Sequence, residues 1–118
     1  MEREKKEMDK KLYELHAEIC KIFANPKRLE ILNALREGEL TVSDLVEILG
    51  TSKANVSQHL ALLRGKGILR TRREGLNIYY SVANPKVIQA CILMREVLIE
   101  QLNEGHRLAK HLAANVSD

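Results

Sequence analysis

Residues 41–64 read Thr41-Val-Ser-Asp-Leu-Val-Glu-Ile-Leu-Gly-Thr-Ser-Lys-Ala-Asn-Val-Ser-Gln-His-Leu-Ala-Leu-Leu-Arg64. Thr41 carries the side-chain oxygen an N-cap needs, and Val42, Leu45, Val46, Ile48 and Leu49 follow at helical spacing. Gly50 stops the pattern. A second helix starts at Thr51 or Ser52 and runs to about Gly65, with Val56, Leu60 and Leu63 as its buried stripe. Its opposite face shows Lys53, Asn55, Ser57, Gln58 and His59. Gln, Asn, Ser and Lys bond base edges and phosphates. Helix, short turn (Gly50-Thr51) and polar-faced helix is the spacing of a helix-turn-helix.

Downstream the apolar period changes from 3.6 to 2. Ile68–Arg73 and Asn77–Val82 read as strands joined by Glu74-Gly75-Leu76. Arg70, Arg72 and Arg73 lie on this hairpin, placed to hold phosphates beside the reading helix. Tyr79 and Tyr80 alternate on the second strand, so one is expected to face inward and one outward. Upstream, residues 1–24 read as one helix with a charged start, carrying Leu12, Leu15, Ile19, Ile22 and Phe23. Asn25-Pro26 breaks it, and Pro26 suits the first turn of a second helix through Leu29, Ile31, Leu32 and Leu35 to Gly38. Asn84-Pro85 opens a long last helix ending near Ala114, apolar nearly all round from Val87 to Leu102. Such a helix must be buried on more than one side, most simply by a second subunit. The expected architecture is mainly α with a small β-hairpin: a single winged helix-turn-helix domain over 1–118. Its dimerisation helices are 1–24 and 85–114, its helix-turn-helix 41–64 and its wing 68–82.

Composition agrees. At 118 residues, 45% hydrophobic and 30% charged, the chain has one domain's length and a globular make-up. No apolar run approaches the ~18 residues of a membrane span, and the charged Met1–Lys11 stretch is unlike a secretory leader. Cys20 and Cys91 form neither a disulfide framework nor a CxxC zinc site, so the expected setting is cytoplasmic with reduced thiols. The net charge of +3 hides an uneven distribution. Over residues 52–83, Lys53, Arg64, Lys66, Arg70, Arg72 and Arg73 face Glu74 alone, which is the footprint of a polyanion binder. No Ser/His/Asp set, P-loop or paired-carboxylate signature is present, and neither an enzyme nor a cofactor is expected.

The chain resembles the ArsR/SmtB-type winged-helix repressors of bacteria and archaea from residue 15 to about 102. The resemblance rests on Ala24-Asn-Pro-Lys-Arg-Leu-Glu-Ile-Leu32, Gly38-Glu-Leu-Thr-Val-Ser-Asp-Leu45 and Asn55-Val-Ser-Gln-His-Leu-Ala-Leu-Leu-Arg64. It continues through Gly67-Ile-Leu-Arg-Thr-Arg-Arg-Glu-Gly75 and Ile78-Tyr-Tyr80. It implies a homodimer paired through the first and last helices, repression of promoters, and release by an inducer whose identity is open. A two-fold dimer sets its reading helices roughly 34 Å apart and favours an inverted-repeat operator in double-stranded DNA. The expected DNA-contacting set is Ser52, Lys53, Asn55, Ser57, Gln58, His59 and Arg64, with Arg72 and Arg73 on the wing; for His59 a merely solvated side chain is the other reading.

The sensing residues are less determined. Arsenic and cadmium sensors of the family carry two cysteines where this chain has Thr41 and Ser43, and hydroxyls are poor ligands for soft metals. Glu104 and His106 resemble the first half of a zinc pair, but the second half would fall at Ser117, and His106 and His111 do not share a helix face. No metal is therefore expected there. Cys20 and Cys91 remain, on the first and last helices. They are small apolar fillers, a thiol switch responding to oxidant or reactive sulfur, or a metal or arsenite site completed by His16 or a partner subunit. The helix-two cysteine of persulfide-sensing relatives falls near Asn33, so that site is not carried over. The rival readings are a dimeric DNA-binding module that senses nothing and a protein-interaction or dimerisation module that has lost DNA binding.

Overall fold

A computed structural model describes residues 1–116 of the chain. They fall into two compact units, one over residues 1–84 and one starting at Pro85.

In the first unit, α1 (Glu2–Phe23) is followed by α2 (Pro26–Ala34), which the local chemistry starts: Asn25 is extended and its Oδ1 accepts from the Arg28 amide at 3.1 Å. The expected run to Gly38 tightens instead into a 3₁₀ turn at Leu35–Glu37. A short strand β1 (Leu40–Thr41) precedes α3 (Val42–Leu49). Thr41 and Asp44 form a reciprocal capping box, Thr41 Oγ1 accepting from the Asp44 amide at 3.2 Å and Asp44 Oδ2 from the Thr41 amide at 3.0 Å. Two otherwise orphaned amides are thereby satisfied. Gly50 closes α3 in the left-handed conformation at φ 66°, where a side chain is unfavourable. Ser52 caps α4 (Lys53–Gly65), its Oγ accepting from the Asn55 amide at 3.1 Å.

Strands β2 (Leu69–Glu74) and β3 (Asn77–Val82) form the hairpin, with Arg70 opposite Ser81, Arg72 opposite Tyr79 and Glu74 opposite Asn77. Gly75 and Leu76 make the loop, and only Gly75 has positive φ, the sign pattern of a type II′ turn. β1 pairs antiparallel with β3, Leu40 opposite Tyr80 and Thr41 opposite Tyr79, so the sheet order is β1-β3-β2. The sequence showed no third strand, because two residues carry no period and Thr41 already serves as a cap. Tyr79 and Tyr80 are both half-buried rather than split between inside and outside.

The core is aliphatic. Ile31 and Leu32 of α2, Leu45 of α3, Val56, Leu60 and Leu63 of α4 are fully enclosed, closed by Leu35, Ile68 and Leu69. α2 packs on α3, α3 on α4, and α4 on β2, so α4 and the hairpin share one support. α1 contributes no buried residue to it.

The second unit is α5 (Pro85–Val116), 32 residues long. Val87, Ile88 and Cys91 are half-buried, while Leu93, Met94, Leu98, Leu102, Leu108 and Leu112 are exposed. Ser117, invoked above for the zinc pair, lies outside the described residues. No helix among the described residues is long and apolar enough to cross a membrane.

Candidate nucleic-acid interface

The outward side of α4 follows from where its apolar stripe points. With Val56, Leu60 and Leu63 enclosed, a 100° step per residue places Ala54, Gln58 and Ala61 farthest from the core. The same step places Lys53 and Arg64, at the two ends of α4, on one flank rather than on that line, and all five are exposed. The side chains of Lys53, Gln58 and Arg64 have no hydrogen-bond or ion-pair partner among the described residues. The N-terminus of α4 is solvent-exposed at Ser52, adding the positive end of the helix dipole to Lys53.

The expectation that residues 53–59 form a single outward polar face is corrected. Asn55 and His59, four apart, lie on a flank rather than the outer line, and both are half-buried. Asn55 Oδ1 is buried and accepts no hydrogen bond. His59 Nδ1 accepts from Arg28 Nε at 3.3 Å, which ties it back to α2. Burial is the main cause of a His59 pKa below its ordinary value, followed by the charges of Arg28 and Lys27. His59 is therefore neutral at pH 7. Ser57 is half-buried on the other flank, and Ser52 is occupied as the cap. Polar residue type predicted a reading face, but the stripe phase narrows its outer line.

The wing arginines differ from one another just as sharply. Arg72 is held by two carboxylates: Nε donates to Glu39 Oε2 at 3.1 Å, Nη2 donates to Glu39 Oε1, and Nη1 donates to Glu74 Oε2 at 2.8 Å. Its guanidinium also sits 4.7 Å from the Tyr79 ring centroid. The hydrogen bond from Arg72 holds the Glu39 carboxyl below the usual carboxylate range, and these acids push Arg72 above its own. Arg72 is thus already charge-compensated and stitches the segment before β1 to both strands of the wing. Arg73 has only a long contact from Nε to Gly75 O at 3.4 Å and is otherwise exposed. Arg70 Nη2 donates to Ala83 O at the base of the hairpin. Glu39 was outside the expected set, since only its pairing with Arg72 across 33 positions reveals it.

The two thiols also differ. Cys20 is exposed on α1, whereas Cys91 is half-buried on α5. Burial pushes the Cys91 thiol up, partly offset by Arg95 one turn on. Among the described residues no three His, Cys, Asp or Glu side chains gather as a metal site.

A capped helix pair whose second helix exposes Lys53, Gln58 and Arg64, followed by a basic hairpin, defines a winged helix-turn-helix transcriptional regulator. The model of the bacterial regulatory proteins of the arsR family matches residues 25–71. The chain is 47% identical over 72 residues to the transcriptional repressor PagR of Bacillus anthracis, spanning 60% of this chain and 72% of that protein. It is 35% identical over 107 residues to the uncharacterized HTH-type regulator Rv0081 of Mycobacterium tuberculosis, spanning 90% and 94%. The crystal structure of Rv0081 matches with a TM-score of 0.71 at 36% identity, covering 79% of this chain and 94% of that one. The solution structure of a homodimeric winged helix-turn-helix DNA-binding domain from Mycobacterium bovis matches at 0.69 and 33% identity, covering 77% and 84%. The chain belongs to the ArsR family.

Proposed function

We propose that the chain is a homodimeric repressor that lays α4 of each protomer in successive major grooves of an inverted-repeat operator. The observation that carries this reading is that α4 leaves the Gln58 side chain exposed on its outer line and those of Lys53 and Arg64 exposed on a flank, all without a partner among the described residues and backed by the core that also holds the wing. Gln58 reads a base edge, Lys53 and Arg64 hold phosphates, and Ser57 contributes from the flank. Arg73 is the wing's phosphate contact. Arg72 keeps the wing in place and is a weak candidate for direct contact, because any phosphate must displace Glu39 and Glu74.

The second copy covers the apolar residues of α1 and α5 that the chain leaves in water. α1 exposes Leu12, Leu15 and Ile19, and α5 exposes Met94, Leu98 and Leu102. PagR, a transcriptional repressor, and the Mycobacterium bovis domain, a homodimeric DNA-binding domain, agree with this reading. The signal is taken to act at Cys20 and Cys91. Cys20 is the more accessible thiol, and the raised Cys91 pKa makes it the slower nucleophile.

A mobility shift on the DNA upstream of the chain's own coding sequence, run across a salt series, tests the reading. Expected is a discrete complex whose log affinity falls linearly with log salt. No complex even at low salt would favour the interaction-module alternative.

A further inference from the structure

Three observations meet at one side chain that no DNA-contacting role explains. Arg28, half-buried on the first turn of α2, sends Nη1 to Ile22 O near the end of α1 at 3.2 Å. Its Nε goes to His59 Nδ1 in the middle of α4 at 3.3 Å. Its own amide is fixed by Asn25 Oδ1, so the guanidinium is anchored at its base. One planar donor group therefore spans the last turn of α1 and the flank of the reading helix. A guanidinium does this well, because its donors diverge in a fixed fork, whereas an ammonium is a single compact point.

We infer that Arg28 and His59 form the positioning pair of the reading helix, fixing α4 to the end of α1 so that a change at α1 is felt at the DNA-facing surface. This rests on the proposed role of α4 and deepens it: α1 is the helix offered to the second copy, and Arg28 is its bonded route to α4. His59 is a positioning residue here, since its Nδ1 is spent on Arg28. The bond requires the unprotonated nitrogen. A proton on Nδ1 removes the acceptor and sets a cation against Arg28.

The charges acting on His59 from α2 are Arg28 and Lys27, the latter paired with Glu30 at 3.2 Å. On the other elements packed against α4, Asp44 of α3 is engaged in its capping box and Glu47 is exposed. Arg70 and Arg72 of β2 are bonded to Ala83 O and to the two glutamates. Among the described residues, the charges that shift His59 are both cationic. Because the folded pKa is depressed, the contribution is whole above the ordinary value of 6.5 and is lost as pH falls through the lowered one.

The test uses the whole protein in two arms. In the free protein, backbone amide resonances around Ile22 and around Leu60 are followed by NMR from pH 7.5 to 5. Both sets should move with the His59 titration in wild type, and neither should in His59→Gln, which keeps an acceptor but does not titrate. In the second arm, affinity for upstream DNA and for random duplex is measured in wild type, His59→Gln and Arg28→Lys. Wild type should lose operator affinity roughly three- to tenfold on acidification, the worth of one hydrogen bond, and His59→Gln should not. Arg28→Lys, with its charge kept, should lose operator affinity by a similar factor while random-duplex affinity stands. Ile22 amides indifferent to the His59 titration would overturn the coupling, as would an Arg28→Lys loss equal on both duplexes. A wild type that binds neither duplex removes the repressor reading instead, and the NMR arm still decides the link between α1 and α4.

Discussion

Leu60 and Ile19 are both aliphatic residues at helical spacing, and the chain treats them in opposite ways. Leu60 on α4 is 0% exposed, enclosed among the side chains of a core built from α2, α3, α4 and β2. Ile19 on α1 is 45% exposed, on a helix of 22 residues with no buried member. α2, the helix-turn-helix and the wing enclose one aliphatic core. The helices at the two ends of the sequence carry apolar surface in excess of what one chain covers, and exposed apolar surface on this scale marks an association surface. The difference teaches a division of labour: one region holds still the groups proposed to read DNA, and the other leaves apolar surface for the proposed second copy.

The largest expected effect comes from breaking the enclosed side of this contrast. Leu60→Ala removes a fully buried side chain from beneath the reading surface and should cost about 2–5 kcal/mol. Urea unfolding followed by circular dichroism would show it as a lower midpoint with an unchanged slope. A loss within 0.5 kcal/mol, the range of ordinary surface changes, would contradict the core described here.

Next in size is the exposed side. Ile19→Glu places a charge on the surface that α1 offers to a second copy, yet touches nothing in the enclosed core. Self-association by sedimentation should weaken at least tenfold, about 1.4 kcal/mol, while the monomer keeps its fold. Unchanged association would take α1 out of the interface.

Much of this contrast was legible in the sequence, and the parts that were not have physical causes. The break at Asn25-Pro26, the Thr41 cap, the Gly50 stop, the helix start at Thr51 or Ser52 and the hairpin at Gly75 are local chemistry and can be seen one turn at a time. The excess of apolar residues on the last helix was likewise visible. Strand β1 was not, because two residues define a strand only by their partner, Tyr79 and Tyr80 on β3. In the site, Lys53, Gln58, Arg64 and Arg73 were recognisable as exposed polar or basic groups. The pairing of Arg72 with Glu39 and of His59 with Arg28 joins residues about thirty positions apart, and no periodicity reports such contacts.

The wing sharpens the same lesson at the scale of single charges. Arg73→Ala should lower the slope of log affinity against log salt by about 1, as expected for one lost phosphate contact. Arg72→Ala should leave the slope nearer wild type and instead speed amide exchange along β2 and β3, because its three carboxylate bonds are internal. Glu39→Gln is the complementary change: it frees part of the Arg72 charge, and random-duplex affinity should rise. Equal slopes for Arg72→Ala and Arg73→Ala would show that phosphates do displace the two glutamates.

The smallest effect concerns the thiols of the end helices. Cys20 is exposed, while burial raises the Cys91 pKa, so less of Cys91 is thiolate at any pH below that range. At pH 8 iodoacetamide should alkylate the exposed Cys20 a few-fold faster, and the gap should narrow as pH climbs and Cys91 ionises. The same shift carries a stability sign. Its contribution is complete below the ordinary thiol value of 9.0 and is lost as pH rises through the raised one. Mass spectrometry of the alkylated peptides, with Ile19→Glu as the dissociated reference, separates the two sources of protection. A Cys91 that reacts slowly in both owes its protection to its own chain. A Cys91 that becomes fast only in the variant is shielded by the second copy, which would place α5 beside α1 in the association surface.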